Sequence, residues 1–551
     1  MFERPTCPTP GASAGARRLG SILTVLTAIL PAILGPAAAA SGEPTESDSK
    51  DLSSPEAETE PALRAALYQR MASVDPHRVT GFIPFSALLH FYEGLVGLDE
   101  ESRVVPKLAE RWEKVGTSTW RFHLRPGVMF HDGRPLTAED VVYSLQRVRA
   151  PGSEFQNRLR DVVSVSAPGP LQVDLEVEGP SSLFLTGLTS VVVVPTDAPE
   201  RIETPIGTGP YRWAGSEGTA ESRWDRVELE AFSDHWSAAP RPSRVIFFFE
   251  PDNDKRIDML LKGQVDWVGA PRADSHAAIE AHPDLWLESR PAAKIVALEP
   301  RVDRGIFSDA RVRNALDLAL DREALAADVF GRLAKPAGQL TTPTVLGYVP
   351  EIEAPTRDLA AARRLLHEAG LPVGTAIELH APEAQEKTAA ELRRQLAEAG
   401  IDLQIRLHPN RDYYRIVRRS KPELFLSIFT NSMQDAGWVF GVKLRTPGRS
   451  GLGETNRNGF SDPQIDAWSD RAMELEAEST ERLLLLRRIA ERARELRPIV
   501  PLVWTMNVYG IRRDLDWHPR ADGRFFAWEV GLPGAVISAA ADAAAEVSPD
   551  P

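Results

Sequence analysis

"WRFHLRPGVMFHDGRPLTAEDVVYSLQRV", from Trp120 to Val148, places three folding signals in direct succession. Its first residues alternate apolar and polar side chains, which predicts a half-buried β-strand. Asp132 and Gly133 form a typical turn dipeptide. The spacing of Thr137 and Asp140 predicts a capping box at the start of a helix. The stretch therefore predicts a strand, a turn and a helix whose apolar face is buried.

His131 is the residue of this stretch that raises the question of catalysis. It has no partner at the spacing of a metal site, and no nucleophile accompanies it in the sequence. Glu139 and Asp140 lie in the first helical turn, where the helix dipole favours negative charge. We therefore predict a structural role for His131, with no catalytic residue, no metal ligand and no cofactor. A secreted hydrolase with a cryptic site around His131 and Asp132 remains the alternative.

The first 40 residues have the composition of a secretory signal peptide. Arg17 and Arg18 precede an apolar run from Leu19 to Leu34, and small residues follow it. We expect export, with cleavage near Ala40. Residues 41–60 contain almost nothing that could be buried, and residues 538–551 resemble a frayed end, so both are predicted to be disordered.

Cysteine content and charge exclude several classes of protein. Cys7 is the only cysteine, and it lies within the predicted leader. The mature chain would then lack cysteine nucleophiles, zinc–thiolate sites and disulfides. The net charge of −14 comes without a basic cluster, so no nucleic-acid partner is expected.

The order of strand and helix signals predicts an α/β protein. Four segments before residue 260 are predicted strands: "LQVDLEVE", "VVVVP", "RVELEAF" and "SRVIFFFE". From about residue 310 helical spacing dominates, and Asp309 and Asp321 are predicted N-caps. Residues 376–407 read as strand, helix and strand, which predicts a βαβ unit with parallel strands.

Segments along most of the chain resemble the extracellular solute-binding proteins of peptide and nickel ABC importers. The opening stretch is the densest of them. The others include "SVDPH" (Ser73–His77), "PIGTGPYRW" (Pro205–Trp213), "RIDMLLKGQVDWV" and "RPIVPLVW". The resemblance covers roughly residues 73–504 in the expected order, which makes it more specific than any single segment.

The resemblance implies a two-lobed periplasmic-binding-protein-like fold of type II, with mixed sheets and an extra domain. The chain is then divided as follows: signal peptide 1–40, disordered spacer 41–60, discontinuous lobe one 61–100 plus 205–294 plus 509–537, extra domain 101–204, lobe two 295–508 and disordered tail 538–551.

The resemblance also implies a function. It predicts a periplasmic, monomeric substrate-binding protein, not an enzyme, that captures a peptide or peptide-like solute between two lobes. The solute would be delivered to ABC permease subunits in the membrane. A ligand-sensing accessory protein with the same fold is a further alternative.

The candidate ligand-binding residues come from the stretch "LSIFTNSMQDAGW", Leu426–Trp438. They are Phe429, Thr430, Asn431, Ser432, Asp435 and Trp438. Peptide-binding relatives carry an aspartate for the ligand's amino terminus where this chain has Ser432. Because a buried ammonium without a carboxylate partner is costly, either Asp435 replaces that aspartate or the solute has no free amine.

Overall fold

The computed structural model describes residues 62–179, 182–218, 224–448 and 452–533. These residues belong to one compact unit, Thr59–Pro551. The predicted leader, spacer and tail lie outside the described residues. Within the described ranges, none of the helices has the length and apolarity needed to cross a membrane.

Strands and helices alternate along the described chain. The strands are β1 (Leu63–Leu67), β2 (Val96–Leu98), β3 (Val104–Pro106), β4 (Ala109–Val115), β5 (Thr119–Leu124), β6 (Val162–Gly169), β7 (Gln172–Val177), β8 (Tyr211–Glu217), β9 (Arg226–Ala231), β10 (Arg244–Phe249), β11 (Trp267–Gly269), β12 (Leu285–Pro300), β13 (Ala334–Pro336), β14 (Thr375–Pro382), β15 (Ile401–His408), β16 (Leu424–Thr430) and β17 (Val500–Arg512). The α-helices are α1 (Phe82–Leu88), α2 (Ala138–Arg149), α3 (Phe184–Leu188), α4 (Asn253–Leu261), α5 (His276–Ala281), α6 (Ala310–Ala319), α7 (Arg322–Leu325), α8 (Leu359–Glu368), α9 (Glu386–Glu398), α10 (Tyr413–Ser420), α11 (Ala436–Lys443), α12 (Pro463–Glu474) and α13 (Thr480–Leu496). The predicted mixed α/β class is confirmed.

Two long strands run through both halves of the main sheet. The strand order is β15-β14-β16-β12-β17-β11-β1-β10-β9-β8, with β13 paired to β17. Residues 285–291 of β12 pair with residues 506–512 of β17, and residues 295–298 pair with residues 500–504. The register shifts between Pro291 and Ile295. We call the part with β8–β11 and β1 the first half, and the part with β14–β16 the second half.

Each half has its own hydrophobic core. Phe247, Trp267, Tyr509 and Ile511 contribute to the core of the first half. In the second half, successive residues of β12 enter cores on opposite faces, with Val296 on one face and Ile295 on the other. This alternation follows from the two-residue period of a strand.

A third region packs beside the first half. Its antiparallel sheet has the order β4-β5-β7-β6, and helix α2 lies against β6 and β7. Phe122, Val141, Leu145 and Val173 are buried in its core. The limits predicted for the lobes and the extra domain stay predictions.

Three of the four strands predicted before residue 260 are present, and one prediction was wrong. "LQVDLEVE", "RVELEAF" and "SRVIFFFE" correspond to β7, β9 and β10. "VVVVP" is extended, but only Val192 forms a β-bridge, to Gly94. Side chains replace strand partners there, since the Ser144 hydroxyl accepts a hydrogen bond from the Val194 N–H at 2.8 Å. The predicted βαβ unit is confirmed, because β14 and β15 are parallel and α9 connects them.

The opening stretch folds as its capping signal predicts. The Asp140 carboxylate accepts hydrogen bonds from the Thr137 N–H at 2.9 Å and the Thr137 hydroxyl at 2.8 Å. Its other oxygen accepts a hydrogen bond from the Thr196 N–H at 3.0 Å. Asp140 therefore joins the start of α2 to the "VVVVP" segment.

Asp140→Ala is expected to lower the free energy of unfolding by about 1–3 kcal/mol, because two backbone N–H groups lose their acceptor. Chemical denaturation measures the change. Glu139→Ala is the matched control, since Glu139 is exposed in the same helical turn, and its expected effect is below about 0.5 kcal/mol. Equal losses in the two variants would contradict this role for Asp140.

Candidate functional site

His131 holds a loop and is not part of a catalytic group. Its Nε2 lies 2.9 Å from the Gly209 carbonyl oxygen, and its Nδ1 accepts the Gly207 N–H at 3.3 Å. Burial lowers the pKa of His131 to about 4, so the ring is neutral at pH 7. Asp132 bonds Arg134 at 2.9 Å instead of the imidazole. Nothing in this geometry supports the hydrolase alternative.

The loop that His131 holds requires glycine. A Cβ atom on Gly207 would lie 2.0 Å from the Phe91 carbonyl oxygen, and one on Gly209 would lie 2.5 Å from the His90 carbonyl oxygen. The "GTGPY" motif is therefore explained by close backbone packing. Within the described ranges, no group of three or more His, Cys, Asp or Glu side chains could hold a metal ion.

The candidate ligand-binding segment begins at the end of β16, beside the point where β12 crosses between the halves. Phe429 pairs with Ile295 and Thr430 with Lys294. The Asn431 N–H then donates to the Ala293 carbonyl at 2.7 Å. The segment is thus fixed to the register shift of β12, where the chain passes from the first half to the second.

The six predicted residues differ in exposure. Thr430 and Ser432 are exposed, Phe429 and Trp438 are half-buried, and Asn431 and Asp435 are buried. The Asn431 amide donates to the Asp435 carbonyl oxygen at 2.8 Å, which closes the loop from 431 to 435. The structure therefore brings four of the six side chains to an accessible surface and places two inside.

Asp435 is fully engaged by the protein. It is the N-cap of α11, and its carboxylate accepts the Gly437 N–H at 2.7 Å. The same carboxylate receives two hydrogen bonds from Arg482, at 2.9 and 2.7 Å. Arg482 is completely buried. Because each partner neutralises the other, we assign Asp435 to holding the segment in place.

Lys443 contacts the first residue of the segment, Phe429, and was not found by sequence reasoning. Its Nζ bonds Glu299 at 2.7 Å and lies 4.8 Å from the centre of the Phe429 ring. Lys443 is the last residue of α11, and its side chain is buried. The ion pair thus fixes the aromatic side chain that begins the segment, and no local motif signals this long-range contact.

The third region reaches the same segment. Arg158 Nη1 lies 2.8 Å from the sulfur of Met433, which directly follows Ser432. A second contact is the hydrogen bond from the Ser182 N–H to the Met473 carbonyl, 3.2 Å long. Sequence reasoning missed Arg158 and Met433, because their pairing depends on two segments far apart in the chain.

Asp435→Asn is expected to destabilise the protein by about 3–5 kcal/mol, because the buried Arg482 guanidinium would lose its counter-charge. Thermal and urea unfolding measure the loss. Glu481→Gln serves as the control, since its ion pair with Arg471 is exposed and contributes about 0–1 kcal/mol. Weaker solute binding with unchanged stability in Asp435→Asn would instead identify a ligand contact.

Comparisons with known proteins agree with the predicted fold. The chain is 26% identical over 421 residues to the glutathione-binding protein GsiB of Pectobacterium atrosepticum, covering 73% of this chain and 80% of that protein. The structure of HbpA2 from Haemophilus parasuis matches with a TM-score of 0.78 and 22% identity, over 86% of this chain and 100% of that one. DppA from Helicobacter pylori, in complex with the peptide STSA, matches with a TM-score of 0.68 and 20% identity, over 86% and 98%.

A family model matches most of the described chain. Residues 103–449 match the bacterial extracellular solute-binding proteins, family 5. This stretch contains the opening sequence, β12 and the candidate segment. The resemblance inferred from the sequence is therefore confirmed, and so is the prediction that the chain is not an enzyme. The protein belongs to the bacterial extracellular solute-binding proteins of family 5.

Proposed function

We propose that this chain is the periplasmic substrate-binding protein of an ABC importer. It captures a peptide or peptide-like solute between its two halves and delivers it to the membrane permease. The observation that carries the proposal is the position of residues 429–432. They form a strand end with Thr430 and Ser432 exposed, beside the point at which β12 and β17 pass between the halves.

The end of β16 offers backbone groups to an extended ligand. On the edge of β16 that faces away from β12, the Tyr414 hydroxyl accepts a hydrogen bond from the Ile428 N–H at 2.9 Å and donates one to the Ile428 carbonyl oxygen at 2.6 Å. Alternation in an antiparallel pair directs the backbone groups of Thr430 to that same edge. β14 pairs with β16 only at Leu424 and Phe425. The Thr430 N–H is therefore directed to where a peptide can add as a strand, while the Thr430 carbonyl oxygen already accepts the Ser432 N–H at 3.1 Å.

The printed names of the relatives support a peptide-like solute. GsiB is a glutathione-binding protein, and DppA is seen in complex with a peptide. Binding through the ligand's backbone gives affinity with little dependence on side chains. The half-buried Phe429 and Trp438 add apolar surface beside that backbone.

The point at which β12 and β17 pass from one half of the sheet to the other is suited to be a hinge. The two strands carry the sheet from one half to the other, and their pairing is interrupted between Pro291 and Ile295. Each half keeps a separate core, so rotation about the interruption leaves both cores intact. The third region already contacts the candidate segment through Arg158 and Met433, so opening at the hinge would admit a solute to residues 429–432 and closing would enclose it.

The leader and the assembly state complete the proposal. Residues 1–40 would direct export and be cleaved near Ala40, which places the mature chain in the periplasm. The six candidate residues belong to one chain, so a monomer is sufficient to bind one solute. Phe429, Thr430, Ser432 and Trp438 would contact the solute, while Asn431 and Asp435 would shape the segment.

Short peptides are expected to stabilise the purified chain in thermal-shift assays, while sugars and metal chelates are not. A peptide present at 100 times its Kd stabilises the folded state by about 2.7 kcal/mol, because it binds that state alone. Calorimetry then gives the Kd, and mass spectrometry checks that the peptide is recovered unchanged. Turnover of the peptide, or stabilisation by none of the peptides, would contradict the proposal.

Trp438→Ala tests the position of the site. We expect at least about tenfold weaker peptide binding, the equivalent of about 1.4 kcal/mol, from the lost aromatic surface. Trp112→Ala is the matched control, since Trp112 is also half-buried but lies in the third region on β4. Equal weakening in both variants would place the solute elsewhere.

A further inference from the structure

Arg524 is a buried cation whose only counter-charge among the described residues is distant and shared. It is 7% exposed, and its Nε has no hydrogen-bond partner. The nearest carboxylate oxygen, on Asp522, lies 3.9 Å from that nitrogen. Asp522 is already bonded by Arg520 at 3.0 and 3.1 Å. Burial lowers the pKa of Arg524, which expresses the cost of keeping its charge there.

Arg158 is a second cation without a carboxylate partner, and it is half-buried. It forms no ion pair within the described chain, and its side chain donates one hydrogen bond there, to the Met433 sulfur at 2.8 Å. A thioether is only a weak hydrogen-bond acceptor. Desolvation lowers the pKa of the Arg158 guanidinium. Its charge is therefore uncompensated where the third region meets the candidate segment.

An aromatic pair links the regions that carry the two arginines. The rings of Phe85 and Phe155 have centroids 4.8 Å apart. The Arg524 guanidinium lies 6.0 Å from the centre of the Phe85 ring, and the backbone N–H of Arg158 donates to the Phe155 carbonyl at 2.9 Å. The charge of Arg158 is one cause of the lowered pKa of Arg524. The fold thus holds two like charges near each other.

Lys294 adds a third cation from the second half. It lies opposite Thr430, in the interrupted part of β12. Its side chain is accessible to solvent and makes no ion pair with the described residues, while desolvation by its surroundings lowers its pKa. Lys294 and Arg158 therefore approach the segment around Thr430 and Met433 from different parts of the chain, and Arg524 lies beside Arg158.

Within the described residues Arg158 and Lys294 have no carboxylate partner and Arg524 shares Asp522 with Arg520, so an anionic ligand would supply the missing negative charge. Burying a charge is costly unless it is paired, and the carboxylates near Arg524 are already used by Arg520. The presence of Ser432 is consistent with an anionic ligand, because a carboxylate at this exposed position would repel an acidic solute. Guanidinium groups are well suited to bind carboxylates through paired hydrogen bonds.

We propose that the solute bound at this segment is acidic, a peptide-like molecule with at least two carboxylates held by Arg524 and Arg158 and attracted by Lys294. This inference rests on the proposed function and defines its substrate class. The solute's backbone lies along Thr430, and its carboxylates face the first half and the third region. The arrangement explains why an amine-binding aspartate is absent.

Calorimetry with tripeptides of equal length tests the substrate class. Ala-Glu-Ala has two carboxylates, and Ala-Gln-Ala amide has none. We expect the acidic peptide to bind at least about 100-fold more tightly, and its affinity to fall with added salt. Equal affinity of the two peptides would overturn the acidic substrate class and leave the proposed function standing. Binding of neither peptide nor any other short peptide would overturn both.

Arg524→Gln and Arg158→Gln test the residues. Each is expected to weaken binding of Ala-Glu-Ala about 10- to 100-fold, the effect of a lost charge-assisted hydrogen bond. Without peptide, Arg524→Gln should keep or raise the Tm, because an unpaired buried charge is removed. Arg160→Gln is the control, since Arg160 is half exposed two residues beyond Arg158. A lower Tm in Arg524→Gln with unchanged affinity would show a purely structural role and overturn the assignment.

Discussion

The pairing of β12 with β17 through both halves of the main sheet is the constraint on which the rest of the structure depends. These strands contribute to the cores of both halves, so neither half is independent of the other. Their pairing is interrupted between Pro291 and Ile295, and the candidate segment is attached there through the Ala293 carbonyl. A change of angle at the interruption therefore acts directly on the residues that would hold a solute.

Charge is distributed differently in the framework and at the candidate site. Some framework charges form buried ion pairs, as in Asp435 with Arg482 and Lys443 with Glu299. The buried Arg256 and Arg313 donate to backbone carbonyls instead. Arg158 has neither kind of partner, and the Arg524 side chain has only the 3.9 Å contact with Asp522. Because burial penalises an unpaired cation, their position is explained most simply by an anionic solute. The paired charges maintain the shape of the segment, and the unpaired ones define what it binds.

Local signals predicted much of the fold, and contacts between distant residues explain what they missed. The capping box at Asp140 and the βαβ unit follow from short-range spacing. "VVVVP" was misassigned because a strand needs a continuous partner, and here the Ser144 hydroxyl takes both backbone groups of Val194. The segment from Phe429 to Trp438 was predicted by resemblance. Arg158 and Arg524 could not be, since only the folded chain reveals that Arg158 lacks a carboxylate partner and that Arg524 shares Asp522 with Arg520.

A crystal structure of the chain with bound Ala-Glu-Ala would show directly where the solute is held. We expect an unmodified peptide between the two halves, with its backbone paired to Thr430 and its carboxylates on Arg158 and Arg524. A peptide bound away from residues 429–432, or found cleaved, would contradict this binding mode.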